Sequence, residues 1–140
     1  LRVLTSATHC NDNVRLAVSK ANGMQAMIMA MKTHRLNQTI HFFGIKAIKN
    51  LCYLESLSHF FVHRLGAVPF LVDNMKKFAK DPNITKVSCE LVLLLCQNKK
   101  VRRLLLAANV ASALAAAAEY FVGRDTETAA LHALYSLTSV

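Results

Sequence analysis

Glycine and proline are scarce, four and two among 140 residues. Turn-rich β folds need such residues at their corners, and alternating β-branched runs between turn signals are few as well, so an all-α fold is expected. Acids are also few, eight against 17 Lys and Arg, and none are paired at a spacing suited to general acid–base work. A Gly-rich phosphate loop, HExxH and GxSxG are all missing, so no enzyme is expected. No apolar run reaches the roughly 18 uncharged residues needed to cross a bilayer. Residues 107–118, rich in Ala, come nearest but are too short and too weakly apolar, so no membrane insertion is expected. Nor does a charged-then-apolar opening suggest a signal peptide. The four cysteines (Cys10, Cys52, Cys89, Cys96) are too few for a disulfide scaffold, and each falls in a helical apolar pattern as a small hydrophobe. That fits reduced thiols in an intracellular, cytoplasmic protein, with the nucleus left open. Asn37 and Asn83 each begin a glycosylation triplet, a pattern common by chance and without meaning in the cytosol.

What is present is an apolar fraction of 54%, too high for disorder, with apolar residues at three and four spacing throughout. The stretch GIKAIKNL, Gly44 to Leu51, recurs as small or apolar residues at Val87–Leu94 and Ala130–Leu137, 43 residues apart each time. Asn22-Gly23-Met24, Leu65-Gly66-Ala67 and Ala108-Asn109-Val110 align at the same period, and Gly and Asn tolerate the left-handed conformation that redirects a chain between helices. Each period divides into three helices, predicted at Leu57–Leu65, Ala67–Phe78 and Pro82–Gln97, then at Lys99–Ala107, Val110–Phe121 and Asp125–Thr138. Asp81-Pro82 is a strong helix start, and Asp125 with Glu127 repeats its logic. Upstream, Asn11 or Asp12 is predicted to cap a helix through Ala21, while Leu1–Thr8 reads as the tail of an earlier helix. The expectation is therefore one fragment of a longer array over residues 1–140: a partial repeat 1–22, then repeats 23–65, 66–108 and 109–140.

A period of about 40 to 47 residues built from two or three helices is that of HEAT and armadillo solenoids. The chain resembles the armadillo family through a Gly between the first two helices and a third helix reading small-x-x-Ala-Ile/Leu-x-Asn-Leu at Gly44, Ala47, Ile48, Asn50 and Leu51. The likeness is closest in Gly23–Arg64, where AMKTHRLNQTIHFFGIKAIKNL carries a Met-Lys-x-His turn; later copies depart, with Glu90 in place of the Ala and Leu93 and Ser136 in place of Asn50. The resemblance implies a right-handed superhelix whose third helices line a concave groove for an extended peptide or a partner helix. It also implies that an Asn at position 50 bonds the ligand backbone and that a Trp four residues earlier packs the ligand's side chains. That second place holds Lys46, Cys89 and His132, and the chain has no Trp, so the import-signal ladder is missing. Basic signals would moreover be repelled by a net charge of +9.

With Gly44, Ala47, Ile48 and Leu51 inward, helical geometry turns Lys46, Lys49, Asn50 and Tyr53 outward as groove candidates. Their matches are Cys89, Leu93 and Cys96, then His132, Tyr135 and Ser136; the plainer alternative is a set of solvated helix faces. The expected partners are a protein or acidic peptide and neighbouring repeats of the same longer chain. A second class of reading, nucleic-acid or phosphate binding, rests on charge. Gly66–Ala108 holds eight cations against three acids, and Lys76, Lys77, Lys80, Lys99, Lys100, Arg102 and Arg103 form a basic edge. Four of these open a helix, where cations oppose the dipole and nothing local favours them; the alternative is a solubilising face. His59 and His63 sit one turn apart but lack a third ligand, so neither metal nor cofactor is expected. Met24, Met27, Met29 and Met31 read as adaptable core.

Overall fold

The computed structural model describes residues 12–20 and 22–139. Asn11 and Ala21, expected at the ends of the first helix, and the expected tail Leu1–Thr8 lie outside them. Among the described residues every regular element is helical. In chain order these are α1 (Asp12–Lys20), α2 (Gly23–Thr33), α3 (Gln38–Leu51), α4 (Glu55–His59), a π-helical turn (Phe60–Arg64), α5 (Val68–Lys77), α6 (Pro82–Leu95), α7 (Lys99–Ala107), α8 (Val110–Tyr120) and α9 (Asp125–Thr138). The chain divides between Leu65 and Gly66 into two compact units.

The turns that open α2, α5 and α8 use a left-handed residue each time: Asn22 (φ 59°), Gly66 (φ 56°) and Asn109 (φ 61°). Only Gly, and to a lesser degree Asn, adopts this conformation at low cost. The expected redirection at Gly23 is thus corrected by one residue. Gly23 is instead the first residue of α2, and a Cβ there would collide with Val18 Cγ1 and lie 2.6 Å from Val18 O.

That shift corrects the uniform period of 43. Twelve residues separate the left-handed residue from the C-cap of the second helix in every copy (22 to 34, 66 to 78, 109 to 121), three lead to the next N-cap (37, 81, 124), and 15 lead to the C-cap of the third helix (52, 96, 139). Only the last leg differs, 14 residues from Cys52 to Gly66 against 13 from Cys96 to Asn109. The longer leg contains the π-helical turn, whose wider winding absorbs the additional residue. A single continuous helix over Leu57–Leu65 was predicted; α4 followed by the π turn stands there instead.

The starts of α3 and α6 are secured by their caps. Asn37 Oδ1 accepts from Ile40 N at 3.0 Å, and Asp81 Oδ1 accepts from Asn83 N and Ile84 N, both at 2.9 Å. In α9 the expected cap moves: Asp125 lies inside the helix, and Glu127 Oε1 accepts from Gly123 N at 3.2 Å.

In the first unit α1 lies on α2 and α3, and α2 on α3. Met24, Met27 and Met31 are fully buried with Ile45, Ala47, Ile48 and Leu51, whereas Met29 is 63% exposed and is removed from the expected core. Gly44 lets α3 come close to α2, since a Cβ there would stand 2.8 Å from Met31 Sδ. In the second unit α6 lies against α9, and α5 against both α6 and α8. Leu71, Leu91, Leu95, Leu105, Leu114, Phe121 and Leu137 are fully buried or nearly so. Each such side chain contributes about 1.5–3 kcal/mol of burial free energy.

Candidate functional site

On the third helix of the first unit, Lys46 and Lys49 are half-buried, with Lys46 Nζ 5.7 Å from the centre of the Phe42 ring. Tyr53 is 58% exposed and lies under the Arg15 guanidinium at 5.4 Å, a cation–π contact that orients the ring. Asn50 is not outward: it is 3% exposed. The enclosed arc of α3 takes in Gly44, Ile45, Ala47, Ile48, Asn50 and Leu51, wider than the four-residue stripe that the sequence marked.

In the second unit Cys89 and Cys96 are also inside, both at 0% exposure, and both leave the candidate groove. The cause is the additional residue before Gly66. Matched through the caps Asn37 and Asp81, the position of Lys46 falls on Glu90, that of Lys49 on Leu93 and that of Tyr53 on Gln97, all half-buried or exposed. Cys96 instead takes the C-cap place of Cys52, which is buried as well. Desolvation pushes the Cys52 and Cys89 thiols up to about 12 and that of Cys96 up to about 11. Ser58 opposes the shift at Cys52, Glu90 adds to it at Cys89, and Arg102 opposes it at Cys96. All three therefore stay protonated at neutral pH, which makes them poor nucleophiles.

His132 and Tyr135 are exposed on α9, Tyr135 by 77%, and Ser136 is half-buried. Between α6 and α9 the surface opens into a cleft of ≈ 320 Å³ lined by Lys86, Glu90 and Leu93 from one helix and by Asp125, Thr128 and His132 from the other. Leu93 gives it an apolar patch, while cationic Lys86 and titratable His132 share it with the carboxylates of Glu90 and Asp125. Such a lining pairs with backbone amides and with side chains of either sign, rather than with one strongly charged ligand. Leu93 and His132 are among the site residues expected from the sequence, whereas Lys86, Glu90, Asp125 and Thr128 are not. The cap-to-cap register from Asn37 to Asp81 was the signal that locates Glu90.

The basic edge separates into three parts. Lys99, Lys100 and Arg103 are exposed on α7, whose N-cap Asn98 accepts from Lys100 N at 2.9 Å and Val101 N at 3.3 Å. Arg102 is withdrawn from the edge. Its Nε and Nη2 donate to Cys96 O at 3.2 and 3.0 Å, and Nη1 donates to Ser139 O at 2.8 Å. The guanidinium thus satisfies the carbonyls that end α6 and α9, where the helix dipoles favour a cation. In the first unit Ser58 Oγ performs the same task, donating to Cys52 O at 3.2 Å, six residues back like the Arg102–Cys96 pair. Lys76, Lys77 and Lys80 lie at and beyond the end of α5, exposed, with Lys77 Nζ 5.7 Å from the Phe78 ring centre.

His59 and His63 are exposed with ring centres 4.4 Å apart, and among the described residues no three His, Cys, Asp or Glu converge as a metal site. Among the same residues no single helix is long and apolar enough to cross a bilayer; α7 and α8 meet that length only together, across a bend of 77°. Compared with family models, with curated proteins and with solved structures, the chain matches none of them.

Proposed function

We propose that the chain is a non-catalytic protein–protein interaction module, an armadillo-like right-handed solenoid of three-helix repeats in a cytoplasmic protein, which takes a segment of a partner along the face made by its third helices. The equal internal spacings of the three copies support the repeat reading. So does the stacking of equivalents in the second unit, α6 on α9 and α5 on α8. The observation that carries the binding reading is the α6–α9 cleft, which lies on the third-helix face and holds Leu93 and His132. In this reading Leu93 meets an apolar side chain of the partner, while Lys86, His132, Glu90 and Asp125 fix the register of an extended or helical segment.

A peptide array of mixed-charge 15-residue segments, probed with the whole chain, tests it. Selected peptides should bind in a way that Leu93→Asp and His132→Ala abolish and that Lys99→Glu with Lys100→Glu leaves intact. Selection of no peptide, or loss only with the α7 variants, would refute the cleft.

The second reading, binding of nucleic acid or phosphate groups, is favoured by exposed Lys99, Lys100 and Arg103 on one helix end. Its mark is a binding constant to random single-stranded RNA or duplex DNA that falls steeply with salt. Absence of any mobility shift at low salt would eliminate it.

A further inference from the structure

A second cavity, of ≈ 220 Å³, opens where α5, the α5–α6 turn and α8 meet, away from the third-helix cleft. Its wall is almost wholly apolar: Met75 and Ala79 on one side, Ala113, Ala116 and Ala117 on the other. The alanines leave the space that longer side chains would fill. Thr85 adds no free hydroxyl, because its Oγ1 donates to Phe78 O at 3.2 Å. The other polar liners, Lys76, Lys80 and Tyr120, stand exposed. Among the described residues neither Lys76 nor Lys80 has a hydrogen-bond or ion-pair partner. Asp81, the acid next to Lys80, is committed to capping α6 and does not line the cavity.

Size and charge together select the ligand. The volume lies below the roughly 300–1,000 Å³ of sites for drug-sized molecules and suits one anchoring side chain. Two exposed ammonium groups, neither paired among the described residues, stand beside an apolar hole and complement carboxylates flanking an apolar residue. We infer that this cavity receives one apolar side chain of an acidic segment of a partner protein, whose neighbouring carboxylates pair with Lys76 and Lys80. The site uses the second helices and the turn after α5, so it stands independently of the α6–α9 cleft. It also offers the acidic peptide expected from the sequence a place that the mixed charges of that cleft do not provide.

The test uses the whole chain with ¹³C-labelled alanine methyls, titrated with five-residue blocked peptides. The probes carry Leu, Ile, Phe or Met at the centre and two Asp or Glu on each side; controls carry a central Ala or lysine flanks. At least one acidic probe should shift the Ala113, Ala116 and Ala117 methyls to saturation, with the central-Ala control weaker by at least about tenfold, as for loss of an anchor residue. Ala116→Leu, which fills the cavity from an exposed helical position, should abolish those shifts, and so should Lys76→Glu with Lys80→Glu. The charge-reversed pair lies wholly on the surface and keeps the test open if the filled variant folds poorly. No shift with any probe at millimolar concentration overturns the site, as does equal binding of either control. Shifts confined to Ala129, which also lines the α6–α9 cleft, or shifts that survive both variants, overturn it equally.

Discussion

Replacement of Arg102 by alanine removes three charge-assisted hydrogen bonds to two helix-terminal carbonyls, Cys96 O and Ser139 O. Hydrogen bonds to a charged group are worth about 1.5–3 kcal/mol when the partner is left buried, and a cation at a helix C-terminus adds about 0.3–1 kcal/mol. Arg102 is only half-buried, and water can rehydrate both carbonyls, so those values are discounted rather than summed. The expected loss is about 2 kcal/mol. With a urea slope of about 2 kcal/mol/M, the unfolding midpoint of Arg102→Ala should fall by about 1 M. Urea unfolding followed by amide exchange at the end of α9 measures it, since Ser139 N donates to Tyr135 O in that last turn. Lys99→Ala, Lys100→Ala and Arg103→Ala, on the same helix but exposed, should each stay within about 0.5 kcal/mol. Arg102→Lys should fall between, because an ammonium keeps the charge but not the rigid fork that reaches both carbonyls. An Arg102→Ala midpoint no lower than that of Lys99→Ala would sink the assignment.

Gly23→Ala should destabilise by about 2 kcal/mol despite the roughly 1 kcal/mol that alanine gains in a helix, because its Cβ meets the Val18 backbone, which cannot swing away. Gly44→Ala meets the flexible Met31 thioether instead and should stay within about 1 kcal/mol of the parent. Thermal unfolding of both variants checks the order, and the reverse order would contradict the packing at α1–α2. In a Cys10→Ser background the three buried thiols should react with Ellman's reagent at pH 8 far more slowly than in the denatured chain. Comparable rates would show that they are open to solvent. Because folding raises these thiol values from 9.0 to about 11–12, the unfolded chain loses those protons first. Their contribution to stability is therefore intact below pH 9 and is lost as pH rises from about 9 to 12. A denaturation midpoint flat across that range after Lys and Tyr controls would argue against it.

Much of the fold was readable because local signals and burial agree. Asp81-Pro82 opens α6 as expected, and α7 and α9 span the predicted residues. The register was harder. Val87 and Ser88 are both buried, so the apolar pattern tolerates a slip of one residue, and only the caps and the left-handed residues resolve it. That slip is what carried Cys89 and Cys96 into the candidate groove. Asn50 was misplaced for another reason: a stripe read from one helix cannot show how wide an arc its neighbours enclose. Arg102 was hidden because its place in the first turn of α7 is unfavourable on local grounds, whereas its partners lie at the ends of other helices, Cys96 O six residues back and Ser139 O 37 residues on. The α6–α9 cleft was half visible through Leu93 and His132, while the cavity at α8 had no sequence signal beyond a run of alanines.

The π-helical turn has a consequence for how the chain tolerates changes in length. The residue added to the longer leg leaves the spacings of 12, 3 and 15 residues in the next copy unchanged, because the π-helical turn at Phe60–Arg64 takes it up before Gly66. The copies behave like carriages joined by a slack coupling: the coupling lengthens while each carriage keeps its dimensions. Insertions and deletions in chains of this kind should accordingly gather between a third helix and the next left-handed residue, where drift in length leaves the cap spacings within each copy unchanged.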